Sequence, residues 1–531
     1  MKSLTPFKPK APRGTRDLLP EDMILFRYVE SKLRSLFESF GFKEVQTPIF
    51  ESFNLFALRS GDEIRNSMFV FETGEGEMAL RPELTAPICR LIVEGKISTA
   101  NRPIKLYYIG RAFRYEEPQA GRYREFWQAG VELIGSKYPE ADAEIICLAT
   151  STLNHLGLSN YRLELGDVAV LRSYMTDKGI DYEAQNKVLS AIDHLRSTLR
   201  KLQLYKETLS QEPSQRLLKE LKQYLYNTIE IRKRRIRSKI GQPNPQISKL
   251  IDSLKPETRI YKLETLTLNE VNEIIDQSIE ELKVISIINW CYQGLRTSIG
   301  IIKLPLEVGL KLLETLKLRG EKTYEIIEKA KETFKDSQLA LKELERLSEV
   351  VGYLEDLNIK KYILDIGLAR GLEYYTGIVF EIHIDELGAQ SQVCGGGRYD
   401  KLIAEFGGPN IPSVGFAFGI DRLILALKKK ETKIQHKLEP VYIVPLSEKL
   451  RKEALRITAL LRNNQIPCQP ELMRRNIRRA LSHANKTNIP IVLIIAPKEY
   501  NQGKVIIKNM KEGTQELIDI KHLTEHLKKI L

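Results

Sequence analysis

The sequence predicts a multidomain α/β (α+β) protein whose centre is an antiparallel sheet, and three observations carry that expectation. Residues 107–135, YYIGRAFRYEEPQAGRYREFWQAGVELIG, alternate apolar and polar positions on both sides of a polar turn, which is the pattern of a long β-hairpin. From residue 178 to about 358 an apolar side chain returns every three or four positions with few glycines, the period of helices. The last hundred residues alternate short strand and helix patterns, which predicts a small α/β domain.

A chain of 531 residues is long enough for two to four domains with sizeable cores, and 42% hydrophobic with 28% charged residues is the balance of a soluble globular protein. No apolar run approaches the length that spans a bilayer, so no membrane association is expected. A net charge of +13 and a pI near 9.2 point to a polyanionic partner, although many basic proteins bind no nucleic acid. The five cysteines (Cys89, Cys147, Cys291, Cys394 and Cys468) are scattered and free of CxxC spacing, which argues for a reducing compartment and against a zinc site. Lys2, Lys8, Lys10, Arg13 and Arg16 could belong to a transit peptide, but Pro6, Pro9, Pro12 and Gly14 spoil its amphipathic helix. The expectation is a cytoplasmic protein with a short basic arm.

In chain order, residues 21–40 carry apolar side chains at helical spacing and end at Gly41, and a strand over 43–47 stops at Pro48. Residues 80–85 read as extended, with Pro87 opening a helix and with Glu83 and Thr85 pointing the same way. A carboxylate beside a hydroxyl suits a ligand's ammonium group; alternatively Glu83 pairs with Arg81 or Arg90 and Thr85 caps the helix. In the hairpin, Arg114 and Glu116 share one face of the first strand, and Gln128 and Glu132 one face of the second. Unpaired charges on a covered sheet are costly, so this face reads as the floor of a ligand site. Arg122 and Arg124, beside glycine in the turn, suit a phosphate chain.

A strand over 161–165 precedes the helical stretch, within which residues 199–240 hold twelve basic and four acidic residues, densest in IRKRRIRSK at 231–239. Such a run is either a solvated helix face or tether, or a set of non-specific phosphate contacts. A strand over 362–366 leads into GLARGLEYYTGIVFEI at 367–382. There Arg370 offers a rigid bidentate donor and Gly371 lets backbone come close to a ligand. Strand parity puts Arg370 and Tyr375 on opposite faces, so Gly371 must bend the chain if both meet one pocket. QVCGGGRYDKL at 392–402 follows, and GFAFGIDRLILAL at 415–427 reads as a strand turning into a helix with Arg422 in its first turn, a phosphate-attracting position. Beyond a lysine-rich linker at 428–437, strands over 441–444, 491–495 and 505–507 alternate with helices near 448–463 and 473–485, the latter carrying Arg474, Arg475, Arg478 and Arg479.

These stretches resemble the class II aminoacyl-tRNA synthetases, and their wording is most similar to the histidyl-tRNA synthetases. The helix, strand and proline at 21–48 resemble motif 1, the dimerisation element; the hairpin resembles motif 2; residues 367–382 and 392–402 resemble the two histidine signatures; residues 415–427 resemble motif 3. Two positions depart from the family pattern: Glu373 and Asp421 stand where aspartate and glutamate are usual. The resemblance implies a class II antiparallel-sheet catalytic domain with a helical insertion and a C-terminal α/β anticodon-binding domain. Its boundaries would be 1–177 and 358–432 (catalytic), 178–357 (insertion) and 433–531 (anticodon binding).

It also implies a homodimer whose substrates are histidine, ATP with Mg²⁺, and tRNA(His). Glu83 and Thr85 would hold the α-amino group; Glu132 and Tyr375 would meet the imidazole, with Gln128 alongside; Tyr399 would wall the pocket, and Tyr374 would be among the histidine-binding residues. Arg114 and Arg370 would straddle the reacting α-phosphate as catalytic residues. Arg122 and Arg422 would meet the outer phosphates, Glu116 the adenine amino group and Gln119 the tRNA. The resemblance assigns no protein ligand to the metal, and residues 196–290 have no placed counterpart. Histidine is expected to bind as neutral imidazole donating to Glu132. The competing reading is a histidine-binding regulatory subunit of ATP phosphoribosyltransferase on the same fold; such paralogues tend to lack both the C-terminal domain and the motif 3 arginine.

Overall fold

A computed structural model describes residues 9–57, 67–119, 121–212, 214–233, 236, 245–254, 263, 266–297, 300–369, 374–431 and 440–531. The chain divides into two compact units, Met1–Thr432 and Lys433–Leu531.

The first unit is built on a nine-stranded sheet. Its spatial order is Lys43–Glu44, Ile104–Phe113, Glu125–Ile134, Ser413–Gly419, Gln392–Arg398, Ile378–His383, Arg162–Asp167, Ile363–Asp365 and Arg319–Gly320. The strands from Ile104–Phe113 to Arg162–Asp167 pair antiparallel with one another. Parallel pairing occurs toward the edges, where Lys43–Glu44 joins Ile104–Phe113 and Ile363–Asp365 joins Arg162–Asp167. The hairpin arms run in register from Ile104↔Ile134 to Phe113↔Glu125, and the two-residue period keeps Gln128, Gly130 and Glu132 on one face with Tyr108 opposite Gly130.

One face of the hairpin is covered by the helix Pro20–Ser39, which opens with proline in its first turn and Glu21 and Asp22 against its positive end. Phe26, Val29, Leu33 and Phe37 are its buried stripe, meeting Trp127 at 4.8 Å and Tyr107 at 5.6 Å between ring centroids.

Several expected elements are shorter than their sequence pattern. The strand expected over 43–47 is only Lys43–Glu44, because Arg81, itself buried, turns the chain by taking the carbonyls of Thr47 (2.8 Å) and Pro48 (3.0 Å). The extension expected over 80–85 ends at Leu80, and Thr85 already opens the helix Thr85–Val93. The middle of the chain holds the helices Tyr182–Gln211, Leu268–Ile288 and Gln338–Asp356, but also a short hairpin, Leu295–Thr297 with Gly300–Ile302. It further lends Arg319–Gly320 to the main sheet.

The basic run at 231–239 lies largely outside the described residues. Within it Lys233 turns inward, 2.6 Å from Glu281 and 3.0 Å from Glu230, and is therefore not a phosphate contact.

The second unit has a five-stranded sheet in the order Cys468–Pro470, Val441–Pro445, Ile491–Ile495, Lys504–Asn509 and Gln515–Asp519, the first three parallel and the last two antiparallel. The helix expected over 473–485 begins at Ile477, capped by the Asn476 side chain. Arg474 and Arg475 are consequently in the preceding loop, which buried Glu471 ties down by accepting from the amides of Met473 and Arg475 and from the Tyr442 hydroxyl.

Candidate functional site

The sheet face turned away from Pro20–Ser39 floors a cavity of about 1420 Å³ within the first unit. Its first region lies over the hairpin and is lined by Glu83, Thr85, Gln128, Glu132, Tyr375 and Tyr399, with Tyr374 beside them. Glu132 is 1% exposed, and its carboxylate accepts from the hydroxyls of Thr85 (2.8 Å), Tyr108 (3.4 Å) and Tyr399. Burial pushes its carboxyl up to about 8, against the pull of those hydroxyls, and nearby Glu83 raises it further.

Room for Glu132 comes from its cross-strand neighbour Gly415, where any Cβ would collide with that carboxylate. Gly397 does the same for Tyr375, whose ring a Cβ would approach to 2.8 Å. One glycine of the run at 395–397 thus makes room for one of the protein's own side chains. Tyr374 packs against Tyr375 and, edge on, against Tyr399.

Glu83 accepts from the first amides of the helix it precedes, Thr85 N at 2.5 Å and Ala86 N at 3.0 Å. It forms neither alternative pairing: Arg81 is spent on backbone carbonyls, and Arg90 on Glu51 (2.7 Å) and Glu94 (3.0 Å). Burial raises its carboxyl in spite of the two amides. Gln128 Oε1 is buried in the same region with no hydrogen-bond partner. Two buried carboxylates, a hydroxyl and an orphan amide oxygen together make a site for a small cationic, hydrogen-bonding group.

The second region is cationic. Arg114 donates Nε–H to the Pro82 carbonyl at 2.9 Å and lies over the Phe126 ring; Arg422, in the first turn of Ile420–Lys429, bonds the carbonyls of Gly121 (3.3 Å) and Gln392. Arg122 donates to Glu116. Burial opposes the Glu116 charge, but Arg122, Arg114 and Arg422 hold its carboxyl below the usual range. Burial and the mutual repulsion of Arg122 and Arg114 with Arg422 lower the Arg422 value, the mark of a cationic nest that an anion would relieve. Asp421 locks this region to the chain's start, pairing with Arg16 while accepting from Trp127 N at 2.8 Å.

The third region extends over Arg162–Asp167, Ile363–Asp365 and Arg319–Gly320, where the helix Tyr182–Gln211 forms the facing wall. Glu164, wholly buried, is approached by Arg196 (2.6 Å), Arg319 (3.1 Å), Arg162 and Arg200 (both 3.4 Å). Among the described residues the one grouping with metal-ligand spacing is Glu164, Glu381 and His383, whose ligand atoms lie within 4.8 Å of one another. Four guanidiniums already occupy Glu164, so a divalent cation there would meet strong repulsion.

Of the residues expected from the sequence, the structure thus brings Glu83, Thr85, Gln128, Glu132, Tyr374, Tyr375 and Tyr399 to one region and Arg114, Glu116, Arg122 and Arg422 to the next. Gln119 sits at the hairpin turn, bridged to Arg122 through its backbone. Arg370, Gly371 and Glu373 lie outside the described residues, as does the bend expected at Gly371. Residues that sequence reasoning passed over are Tyr108, Phe126, Arg16 and the third-region arginines. Strand parity with Arg114 and Gln128 could have found the first two.

A family model described as histidyl-tRNA synthetase matches residues 14–267 and 300–423, and one described as an anticodon binding domain matches residues 440–530. A histidine–tRNA ligase of Methanococcus maripaludis is 35% identical over 515 residues, covering 96% of this chain and 98% of its own. One from Pyrococcus furiosus is 35% identical over 523 residues, with 98% of each chain covered. The crystal structure of a histidyl-tRNA synthetase from Nostoc sp. superposes with a TM-score of 0.64 at 20% identity, covering 99% of this chain and 100% of that one, a likeness of fold.

Proposed function

The chain belongs to the histidyl-tRNA synthetase family and acts as a histidine–tRNA ligase, and from that premise we propose how its cavity divides the work. The first region takes histidine. Glu83, the Thr85 oxygen and the orphan Gln128 Oε1 receive the α-ammonium, while Glu132 and Tyr375 face the imidazole and Tyr374 and Tyr399 enclose it. The observation that carries this assignment is Gln128 Oε1, unpartnered among the described residues, beside two buried carboxylates that form no ion pair among them. A committed acceptor of this kind rejects ring analogues that would leave it unpaired.

The second region takes ATP. The histidine carboxylate oxygen attacks the α-phosphorus, the bond to the bridging oxygen breaks, and pyrophosphate leaves with its electrons; a hydroxyl of the tRNA's terminal ribose then attacks the acyl carbon and AMP departs. Both steps need positioning and charge neutralisation more than covalent help. Arg114 and Arg370 flank the α-phosphate as the catalytic residues, Arg122 and Arg422 hold the outer phosphates, and Glu116 receives the adenine amino group once Arg122 turns to phosphate. Mg²⁺ supplies further neutralisation at the phosphates.

The insertion at 178–357 and Gln119 in the hairpin turn face tRNA, and residues 433–531 hold its anticodon arm. Residues 21–48 form a homodimer contact, and the protein works in the cytoplasm. Histidine-dependent exchange between ATP and pyrophosphate tests the reading: robust exchange in the wild type that Arg370→Ala abolishes is expected. Histidine binding without exchange would return the chain to the regulatory-subunit class, against which the second unit and Arg422 both argue.

A further inference from the structure

Tyr375, on the lining of the first region, is held from behind by Arg172, which is 8% exposed and lies on the helix Val168–Asp177. The Arg172 Nε–H donates to the Tyr375 carbonyl at 3.1 Å, and the Val168 amide, one turn earlier, donates to the Gly377 carbonyl at 3.0 Å. A helical turn rises about 5.4 Å and two extended residues span about 6.6 Å. The helix therefore takes two same-side carbonyls of the segment that leads into Ile378–His383. With Gly397 leaving room for the ring, the backbone and the side chain of Tyr375 are each located by a different neighbour.

Arg172 is itself aimed by the start of the helix Tyr182–Gln211. Its Nη2 donates to Asn186 Oδ1 at 2.8 Å in a buried bond, and its guanidinium lies 4.7 Å from the centroid of the Tyr182 ring. Tyr182 and Asn186 are four residues apart and share a helix face. The Tyr182 ring also carries Lys401 Nζ at 4.0 Å, two residues beyond Tyr399, whose hydroxyl donates to Glu132. Residues 367–382 and 392–402 are thereby tied to one helix face, the first through Arg172 and the second through Lys401. A planar guanidinium can divide its donors between the Tyr375 carbonyl and Asn186 in a fixed geometry, which the single ammonium of a lysine cannot.

Resting on the reading of the first region as the histidine pocket, we propose that Arg172 is a positioning residue for histidine: oriented by Asn186 and Tyr182, it sets where the Tyr375 side chain meets the imidazole. Its effect falls on the amino acid and not on ATP, because the second region is built on the hairpin turn and the helix Ile420–Lys429. Gln185 joins the same two helices independently, donating to the Thr176 hydroxyl and the Ile180 carbonyl, both at 2.9 Å. Asn186 can therefore be altered without undocking Tyr182–Gln211.

The test follows histidine-dependent ATP–pyrophosphate exchange in full-length wild type, Asn186→Leu, Asn186→Asp, Arg172→Lys and the double variant Arg172→Lys/Asn186→Leu, each checked for a cooperative thermal transition. Asn186→Leu, which removes the acceptor at similar volume, and Arg172→Lys should each raise the histidine KM roughly tenfold, with kcat and the KM for ATP within about twofold of wild type. Asn186→Asp keeps the acceptor oxygen and should stay close to wild type, while the double variant should lose little more than the worse single one. An unchanged histidine KM, an equal rise in the KM for ATP, an aspartate variant as poor as the leucine one, or additive losses in the double variant would each overturn the proposal. If Arg172→Lys does not fold, the two Asn186 variants alone decide it. A histidine KM untouched by Tyr375→Phe, or no exchange in the wild type, would instead defeat the reading of the pocket.

Discussion

Glu132, on the wall of the cavity, and Glu164, behind the arginines that line its far side, are both fully buried carboxylates, and the protein treats them in opposite ways. Glu132 receives hydroxyls alone and is pushed up to about 8. Around Glu164 burial has the same tendency, but Arg200, Arg196 and Arg319 outweigh it and hold the carboxyl below its usual range. The difference shows which charge is already spent. Glu164 is committed to joining the helix Tyr182–Gln211 to the sheet, whereas Glu132 is held, among the described residues, by neutral hydroxyl donors. A buried acid kept without a counter-ion is unfavourable for folding and favourable for recognition.

The largest effect that sharpens this contrast is on stability. Glu164→Ala leaves four guanidiniums facing one another and should cost about 3–5 kcal/mol, read as an earlier denaturant transition of the first unit. Because the folded value of Glu164 is depressed, its stabilisation is present above its ordinary 4.5 and is lost as pH falls below it, so the variant's deficit should shrink in acid. Glu132 has the reverse sign: its folded value is raised, so its burial weighs increasingly on stability as pH climbs from about 4.5 to about 8. Glu132→Gln should therefore gain on the wild type over that window. Equal pH trends for the two variants would break the comparison.

The next effect is on recognition. Glu132→Gln should lower kcat/KM for histidine in exchange by roughly 100-fold, the equivalent of about 2.7 kcal/mol for a lost hydrogen bond to a charged group. The KM for ATP should stay near wild type; a loss falling equally on ATP would mean the side chain is merely structural. The smallest effect is in the wild type itself. If neutral imidazole donates to ionised Glu132, the histidine KM should improve several-fold as pH rises from about 6.5, the free imidazole value, toward the roughly 8 of Glu132. Improvement on acidification would reverse the proton assignment.

Much of this was legible in the sequence, for physical reasons. The hairpin could be read because a two-residue period over ten residues per arm admits no helical alternative, and the same parity places Gln128 and Glu132 together. The elements misjudged were those ended by a distant partner. Arg81 cuts short the strand after Lys43 by taking carbonyls far from it in sequence, and Glu471 holds Arg474 and Arg475 off the helix. Glu83 was expected in the site through an extended backbone that is not there; it lines the cavity because it caps the helix instead. Lys233 misled because a run of like charges gives no sign that one member is buried by Glu230 and Glu281, the latter 48 positions downstream. The third region was invisible because Arg162, Arg196, Arg200 and Arg319 come from three separate segments, and none sits in a recognisable motif.

The outermost strands of the nine-stranded sheet, Lys43–Glu44 and Arg319–Gly320, are only two residues long. Such stubs expose too few free backbone groups to template another chain, and each carries a cation that discourages stacking. A sheet this wide, left open rather than closed into a barrel, is thereby guarded against growing by edge-to-edge addition when copies crowd together.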